Sequence, residues 1–173
     1  AAQFAARETE RRYLAICRGA PDRADPRLAG LEAVAFEADG TLRIEAPIAR
    51  HRTDRKRMAV VPGGRRAVTR VALLRRLGPS ARPVAALLAC RLETGRTHQI
   101  RVHLAHVGHA LIGDPVYGRA RVSGPEVARA FSRQALHAQT LGFRHPDDGR
   151  FLRFEREPPA DFAGLLAALE AET

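Results

Sequence analysis

The sequence contains no tryptophan, and only 5% of its residues are aromatic. Any function that depends on aromatic rings must therefore use very few of them, and Tyr13 and Tyr117 are the two tyrosines. The two cysteines, Cys17 and Cys90, are too few for a disulfide framework, and the chain has no CxxC pair. This cysteine usage predicts a reduced, cytoplasmic compartment.

The sequence also has no apolar run of membrane-spanning length and no signal-peptide pattern, so we expect no membrane partner. Neither a phosphate-binding P-loop nor a dinucleotide fingerprint is present, and no Gly-x-Ser-x-Gly elbow indicates serine hydrolysis. What remains is a chain of 173 residues with 45% hydrophobic content. That length and composition predict one globular domain with a substantial core.

Positive charge is the strongest compositional signal. The chain has 29 basic and 19 acidic residues, a net charge of +10, and a single lysine, Lys56. Such a balance predicts an anionic partner, with RNA or DNA as the first candidate. Much of the charge lies in residues 48–58, which read as a loop or edge strand on a nucleic-acid surface, or else as a solvated charge run. The candidate contacts in this segment are Arg50, Arg52, Lys56 and Arg57.

A second cluster follows the strand-like run at residues 87–92. Thr97 is predicted to cap a short helix, and Gly108 to end it in a left-handed conformation. The helix start combines free backbone amides, the positive end of the helix dipole and several donors, which favours an anion. A solvated basic helix start is the alternative. The apolar face of this helix is Ile100, Leu104 and Val107, and the polar candidates at its start are Arg96, His98, Gln99 and Arg101.

The rest of the chain predicts an α+β domain, with a mixed, mostly antiparallel sheet and flanking helices. Residues 1–10 are predicted to be helical or frayed, and residues 119–133 to form a loop with a short helix. A closing amphipathic helix over residues 161–171 should pack on the sheet. The predicted strands are residues 11–18, 31–36, 41–46, 67–77, 84–92, 135–143 and 151–155.

The segment GRTHQIRVHLAHVGHALIGDPVYG, residues 95–118, resembles the signature of the RluA-type pseudouridine synthases. Its length and fixed spacings make this match specific. Four further stretches resemble segments of the same family, so the likeness covers nearly the whole chain. They are residues 12–15 (K/R-x-Y-x-A), 50–69 (R-H-x-x-x-R-x-x-M-A-V and A-V-T), 136–149 (L-H-A and F-x-H-P-x-x-G) and 158–166 (P-x-D-F-x-x-L-L).

The resemblance implies the pseudouridine synthase fold and an isomerase that converts uridine to pseudouridine in RNA, here large-subunit ribosomal RNA. It implies that no cofactor is needed. Tyr13 matches the family tyrosine that stacks on the flipped base and is a candidate for proton removal. Arg101 matches the arginine that pairs with the nucleophilic aspartate. Tyr13 and Arg101 are therefore the candidate catalytic residues, and we expect a monomer without metal.

The family nucleophile lies in an H-R-L-D-x-x-T-S/T-G motif before the tyrosine segment, and this chain begins at Ala1, after that position. We therefore expect residues 1–173 to be the C-terminal part of one catalytic domain, inactive alone, with Arg101 lacking its carboxylate. Asp54 follows a His-Arg pair but lies after Tyr13 and lacks the rest of the motif. We interpret Asp54 as a surface residue.

Two other functions stay open at this point. One is a non-catalytic RNA-binding module, either a fragment or a degenerate paralogue. The other is a metal-dependent nuclease, because four histidines lie within twelve residues, but no glutamate accompanies them and structural or RNA-facing roles are favoured. Asp114 precedes a proline and is predicted to fix a turn. The four histidines are His98, His103, His106 and His109.

Overall fold

The computed structural model describes residues 9–118 and 126–171. It is built on a seven-stranded sheet in the order β2-β3-β6-β7-β1-β8-β9, and every pairing in this sheet is antiparallel. The predicted α+β class is confirmed. The seven strands are β1 (Glu10–Arg18), β2 (Val34–Phe36), β3 (Leu42–Glu45), β6 (Val68–Leu77), β7 (Ala85–Leu92), β8 (Leu136–Arg144) and β9 (Phe151–Glu155).

A second, two-stranded sheet lies apart from the first and consists of β4 (Ile48–Arg50) and β5 (Met58–Val60). These strands pair antiparallel, with Ala49 opposite Ala59, so the basic segment forms a hairpin whose loop carries most of its charge. Ile48 is buried against Ala67 and Val102, which anchors the hairpin to the body of the domain. We call residues 48–60 the basic hairpin.

Alternation along β1 divides the core into two layers. Ala15 and Cys17 face one side of the sheet and pack in a cluster with the helix α1 (Gln99–His106). Ile16 faces the other side and packs with the helix α3 (Ala160–Glu170). Because side chains of a strand point alternately to the two faces, the sheet is covered by α1 on one face and by α3 on the other.

The predicted positions of the helices hold where the structure describes them. Phe162, Leu165 and Leu169 of α3 are fully buried, as the apolar spacing predicted. A short helix, α2 (Glu126–Ala130), lies within the range predicted to hold one. The predictions for residues 1–8 and 119–125 fall outside the described residues. None of the described helices is both long and apolar enough to span a membrane.

The pairing of β1 with β8 is interrupted next to Tyr13. Arg12 lies opposite Thr140 and Tyr13 lies opposite Ala138, so Gln139 has no partner on β1. One extra residue on one strand is a β-bulge, which bends the strand and increases its twist locally. The distorted strand here is β8, and its bulge lies opposite the candidate catalytic tyrosine on β1.

Candidate active site

The side chain of Gln99 organises the turn that leads from β7 into α1. Its Oε1 accepts hydrogen bonds from the Thr94 hydroxyl at 2.8 Å and from the Arg96 backbone amide at 2.9 Å. Its Nε2 donates to the Val68 carbonyl at 2.9 Å and to Thr69 Oγ1 at 3.0 Å. Gln99 is only 2% exposed, and these four bonds use the full capacity of its amide. The structure therefore places Gln99 beneath the proposed RNA surface, with no polar atom left for RNA.

The predicted N-cap at Thr97 is wrong. The helix begins at Gln99, its N-cap residue is His98, and no side chain caps it. His98 has a φ of 57°, the left-handed region that side chains other than glycine rarely adopt. The Gln99 side chain accepts the amide of Arg96, a residue that precedes the helix. Thr97 was predicted because hydroxyl residues commonly cap helices, but the start of this helix has no side-chain cap.

Arg101 is held by a buried, two-bond contact with Asp114. Arg101 Nε donates to Asp114 Oδ2 and Nη2 donates to Oδ1, both at 2.8 Å. Burial would raise the pKa of Asp114, but the Arg101 bonds and the backbone amides of Val116 and Tyr117 lower it below its usual value. Those two amides donate to Asp114 Oδ1 at 2.9 and 3.0 Å, which confirms the predicted turn role of Asp114.

The expectation that Arg101 would lack a carboxylate in this chain is wrong, because Asp114 supplies one. This pairing still leaves donors on Arg101. A guanidinium has five N–H groups, and the contact with Asp114 uses the edge formed by Nε and Nη2. The opposite edge, with Nη1, can bind a second carboxylate or a phosphate.

Tyr117 joins this pair to the basic hairpin. Its hydroxyl accepts a hydrogen bond from the Met58 amide at 2.9 Å and lies 3.1 Å from His98 Nδ1. The guanidinium carbons of Arg101 and Arg57 lie 4.9 and 5.5 Å from the ring centroid, a cation–π distance. Tyr117 was not among the predicted site residues. The signal that could have found it is its place in the Gly-Asp-Pro-Val-Tyr-Gly segment.

His98 is held neutral by the same surroundings. Burial, followed by the charge of Arg101, lowers the pKa of His98. The Tyr117 oxygen accepts the Met58 amide and also lies within hydrogen-bond distance of His98 Nδ1. The imidazole also meets the Tyr117 ring edge-on, at an interplanar angle of 76°.

Arg50 of the basic hairpin lies on one surface with Arg96 at the start of α1. Arg50 Nη1 donates to the Arg55 carbonyl at 3.2 Å, and Arg96 Nε donates to the Arg66 carbonyl at 3.1 Å. Between the hairpin and the helix start is a cleft of about 330 Å³ that Arg50, Arg65 and Arg96 help to line. None of these three arginines has a carboxylate partner among the described residues.

The remaining hairpin candidates differ in exposure. Arg52 and Lys56 are exposed, whereas Arg57 is half-buried beside Tyr117. Asp54 belongs to the hairpin loop, where its Oδ1 accepts the Lys56 amide at 3.0 Å. That bond is a local turn contact, consistent with the interpretation of Asp54 as a surface aspartate.

Tyr13 lies on the α1 face of the sheet, where it packs against the core cluster that contains Ile100 and Leu104. It is half-buried, and among the described residues its hydroxyl has no hydrogen-bond partner. The structure thus brings Tyr13 to the same face as α1 without a direct bond to Arg101. Whether either residue takes part in catalysis stays a prediction.

The histidine cluster is dispersed by the fold. His103 is fully buried, with Nδ1 2.9 Å from Thr69 Oγ1 and Nε2 3.0 Å from the Ala46 carbonyl. Because a carbonyl only accepts, Nε2 carries the proton and Nδ1 accepts from the threonine hydroxyl. Burial lowers the pKa of His103 to about 4, so it is neutral at pH 7. Within residues 9–118 and 126–171, no three His, Cys, Asp or Glu side chains form a group that could hold a metal ion.

A family model described as RNA pseudouridylate synthase matches residues 1–106. The chain belongs to this family. Among curated relatives, it is 43% identical over 173 residues to ribosomal large subunit pseudouridine synthase D of Zymomonas mobilis, covering 98% of this chain and 48% of that protein. It is also 43% identical over 172 residues to the protein of the same name from Nitrosomonas europaea, covering 98% of this chain and 43% of the relative.

Solved structures of pseudouridylate synthase domains have the same fold. Human RNA pseudouridylate synthase domain containing 1 superposes with a TM-score of 0.66 at 24% identity, covering 91% of this chain and 58% of the human chain. Human RNA pseudouridylate synthase domain containing 4 gives a TM-score of 0.62 at 21% identity, covering 97% and 65%. The chain spans about half the length of the curated relatives it matches.

Proposed function

We propose that residues 1–173 are the C-terminal part of one catalytic domain, and that the protein isomerises uridine to pseudouridine in large-subunit ribosomal RNA. The observation that carries this proposal is the 43% identity, over 98% of the chain, to relatives named ribosomal large subunit pseudouridine synthase D. We also propose that the protein acts in the cytoplasm, as a monomer and without a metal or other cofactor.

The reaction breaks the N-glycosidic bond of the target uridine, rotates the base and rejoins it to the ribose through carbon. In our proposal the carboxylate that acts on the nucleotide belongs to a segment other than residues 1–173. The free edge of the Arg101 guanidinium would bind it, while Asp114 holds the other edge. A carboxylate beside a guanidinium stays ionised and in one orientation, which suits a nucleophile or a base.

Tyr13 would act on the flipped base. A base inside an RNA stack is out of reach of a protein pocket, so the target uridine must leave its stack before it reacts. The Tyr13 hydroxyl, which has no hydrogen-bond partner among the described residues, is available for proton transfer, and its half-buried ring offers a face for stacking.

The RNA backbone would be bound by the basic hairpin together with the start of α1. The support for this surface is the cleft lined by Arg50, Arg65 and Arg96, whose charges no described carboxylate neutralises. Phosphate groups suit forked guanidinium donors. The proposed contacts are Arg50, Arg52, Lys56, Arg57, Arg96 and His98, with Gln99 supporting the helix start from beneath.

The test is a tritium-release assay on large-subunit rRNA transcripts labelled at carbon 5 of uridine. Three samples are compared: residues 1–173 alone, a longer protein that adds the family's aspartate segment, and that longer protein with its aspartate changed to asparagine. We expect release only from the second sample, because a missing member of a catalytic unit removes nearly the whole rate. Release from residues 1–173 alone that disappears in Asp54→Asn would show that Asp54 is the nucleophile.

A non-catalytic RNA-binding module is the second candidate. One observation favours it: Arg101 has its carboxylate within the chain, so its charge is compensated without any catalytic aspartate. RNA binding by the longer protein with no tritium release from any rRNA transcript would decide for this second function.

A further inference from the structure

The side chain of Tyr117 is fixed at both ends. Its backbone amide donates to Asp114 Oδ1 at 3.0 Å, and its hydroxyl accepts the Met58 amide at 2.9 Å. The hydroxyl is also 3.1 Å from His98 Nδ1. A ring held by its backbone and by its hydroxyl has little freedom to rotate, so the position of its face is determined by three separate parts of the chain.

Those parts are the ones that the proposed function brings to the RNA. Met58 and Arg57 belong to the basic hairpin, whereas His98 and Arg101 belong to the start of α1. All four residues contact Tyr117, which itself lies in the loop that follows Asp114. Tyr117 therefore connects the hairpin to the Arg101–Asp114 pair.

Arg57 depends on this ring. Its side chain makes no hydrogen bond or ion pair with the described residues, and its Nε is buried without a partner. The contact of the guanidinium with the Tyr117 ring, at 5.5 Å from the centroid, is what holds it. A guanidinium over a ring is stabilised through its face, so its N–H donors stay available for an anion. Because Nε is buried, the donors that an anion can reach are those of the terminal Nη1 and Nη2 groups.

We propose that Tyr117 is a positioning residue. It orients Arg57 toward an RNA phosphate and Arg101 toward the protein carboxylate that acts on the nucleotide. This inference rests on the proposed function. The competing interpretation is that Tyr117 is an ordinary half-buried tyrosine whose contacts stabilise the loop alone. The two interpretations predict different RNA affinities for a folded variant that lacks the Tyr117 ring: the positioning role predicts weaker binding, and the structural role predicts unchanged binding.

The test uses residues 1–173 and three variants, with structured rRNA transcripts as the probe. Tyr117→Leu removes the ring face and the hydroxyl, Tyr117→Phe removes the hydroxyl alone, and Phe36→Leu is the control. Phe36→Leu removes a comparable cation–π pair away from the site. In that pair Arg23 lies 5.1 Å from the centroid of the Phe36 ring, which belongs to strand β2.

The plot of log K against log salt has a negative slope, and loss of one phosphate contact makes it less steep by about 0.7 to 0.9. The same loss weakens binding by about fivefold near 0.15 M salt. We expect this loss in Tyr117→Leu, recovery of most of it in Tyr117→Phe, and none in Phe36→Leu. Arg57→Gln should give the same loss with the ring intact. Adding Tyr117→Leu to Arg57→Gln should make the salt dependence of RNA binding no less steep than Arg57→Gln alone does. Because Arg57→Gln keeps the ring, it tests the arrangement even where Tyr117→Leu fails to fold.

A second readout separates this inference from the proposed function. The Arg57 Nε–H resonance, followed by NMR without RNA, should be protected from solvent exchange in the wild type and in Tyr117→Phe, and exposed in Tyr117→Leu. Unchanged protection and an unchanged salt slope in folded Tyr117→Leu would overturn the positioning role. Wild-type protein that shows the protected resonance but no salt-dependent RNA binding would instead refute the proposed RNA surface.

Discussion

Arg101 and Asp114, thirteen positions apart in the chain, meet in a buried pair joined by two hydrogen bonds of 2.8 Å. The side chains are 10% and 0% exposed. Breaking a buried pair by removing one charge leaves the other charge uncompensated, which costs about 3 to 5 kcal/mol. We expect Asp114→Asn to lower the free energy of unfolding by about 3 kcal/mol, measured by urea denaturation at pH 7.

The control for this prediction is Asp161→Asn. Asp161 also binds an arginine through two bonds, with Arg133 at 2.6 and 2.8 Å, but that pair is on the surface, at 48% and 37% exposure. Surface pairs contribute little to stability because water solvates both partners. Equal losses of unfolding free energy in Asp114→Asn and Asp161→Asn would show that burial does not determine how much the Arg101–Asp114 pair contributes to stability.

Reversing charge on the basic hairpin should weaken RNA binding without changing its sequence preference. Arg50→Glu with Arg52→Glu removes two phosphate contacts, so the negative slope of log K against log salt should become less steep by about 1.4 to 1.8. The matched control reverses Arg82 and Arg91, two exposed arginines away from the hairpin. A salt slope near zero for the wild type, or equal losses in both double variants, would contradict a defined RNA surface.

Tyr13→Phe should separate chemistry from folding. The Tyr13 hydroxyl has no hydrogen-bond partner among the described residues, so its removal should leave stability and RNA affinity nearly unchanged. Proton transfer by a positioned side chain contributes about 100-fold or more to a rate. We expect a loss of that size in single-turnover assays of the longer, active protein. Turnover close to the wild type would exclude Tyr13 as the proton-transfer group.

Stability should fall in mild acid because of His103. Burial lowers the pKa of His103 from 6.5 to about 4, so between these values the unfolded chain takes up a proton that the folded chain does not. The unfolded state then binds more protons, and the free energy of unfolding falls as the pH falls from about 6.5 to about 4. The difference between the two pKa values corresponds to about 3 kcal/mol.

This dependence is measured as the difference between the wild type and His103→Gln in urea denaturation, taken at several pH values. Subtraction cancels the titration of the other groups, and His137→Gln, at a half-buried position on β8, controls for the loss of one histidine. A wild-type-minus-His103→Gln difference that stays constant across this range would show that His103 does not remain neutral as the pH falls.

The architecture could be predicted from the sequence because it depends on local patterns. Two runs separated by a Gly-Pro-Ser turn located β6 and β7, and the spacing of Phe162, Leu165 and Leu169 located α3. The Arg101–Asp114 pair could not be found in this way, because a charged side chain does not reveal its partner before the chain is folded. Asp114 was predicted as a turn residue, and it serves as a turn residue and a counter-ion together.

Gln99 shows a different reason for an incomplete prediction. Its arginine and histidine neighbours made it a candidate for RNA contact, but a helix turns 100° per residue, so adjacent residues face different directions. Gln99 and His103 are four positions apart and share the face directed at Thr69, to which both bond. The apolar periodicity left these two polar residues out, although their spacing places them on the buried side.

The bulge at Gln139 limits how the length of β8 can change during evolution. Removing Gln139 would leave the pairs Arg12–Thr140 and Tyr13–Ala138 in an unbroken ladder, so both halves of the strand would keep their faces. Removing a residue distant from Gln139 would shift the residues between that position and the bulge by one place, which exchanges their core and solvent sides. Length differences between homologous β8 strands should therefore concentrate at Gln139, and in a homologue without it β8 would be straighter and less twisted opposite Tyr13.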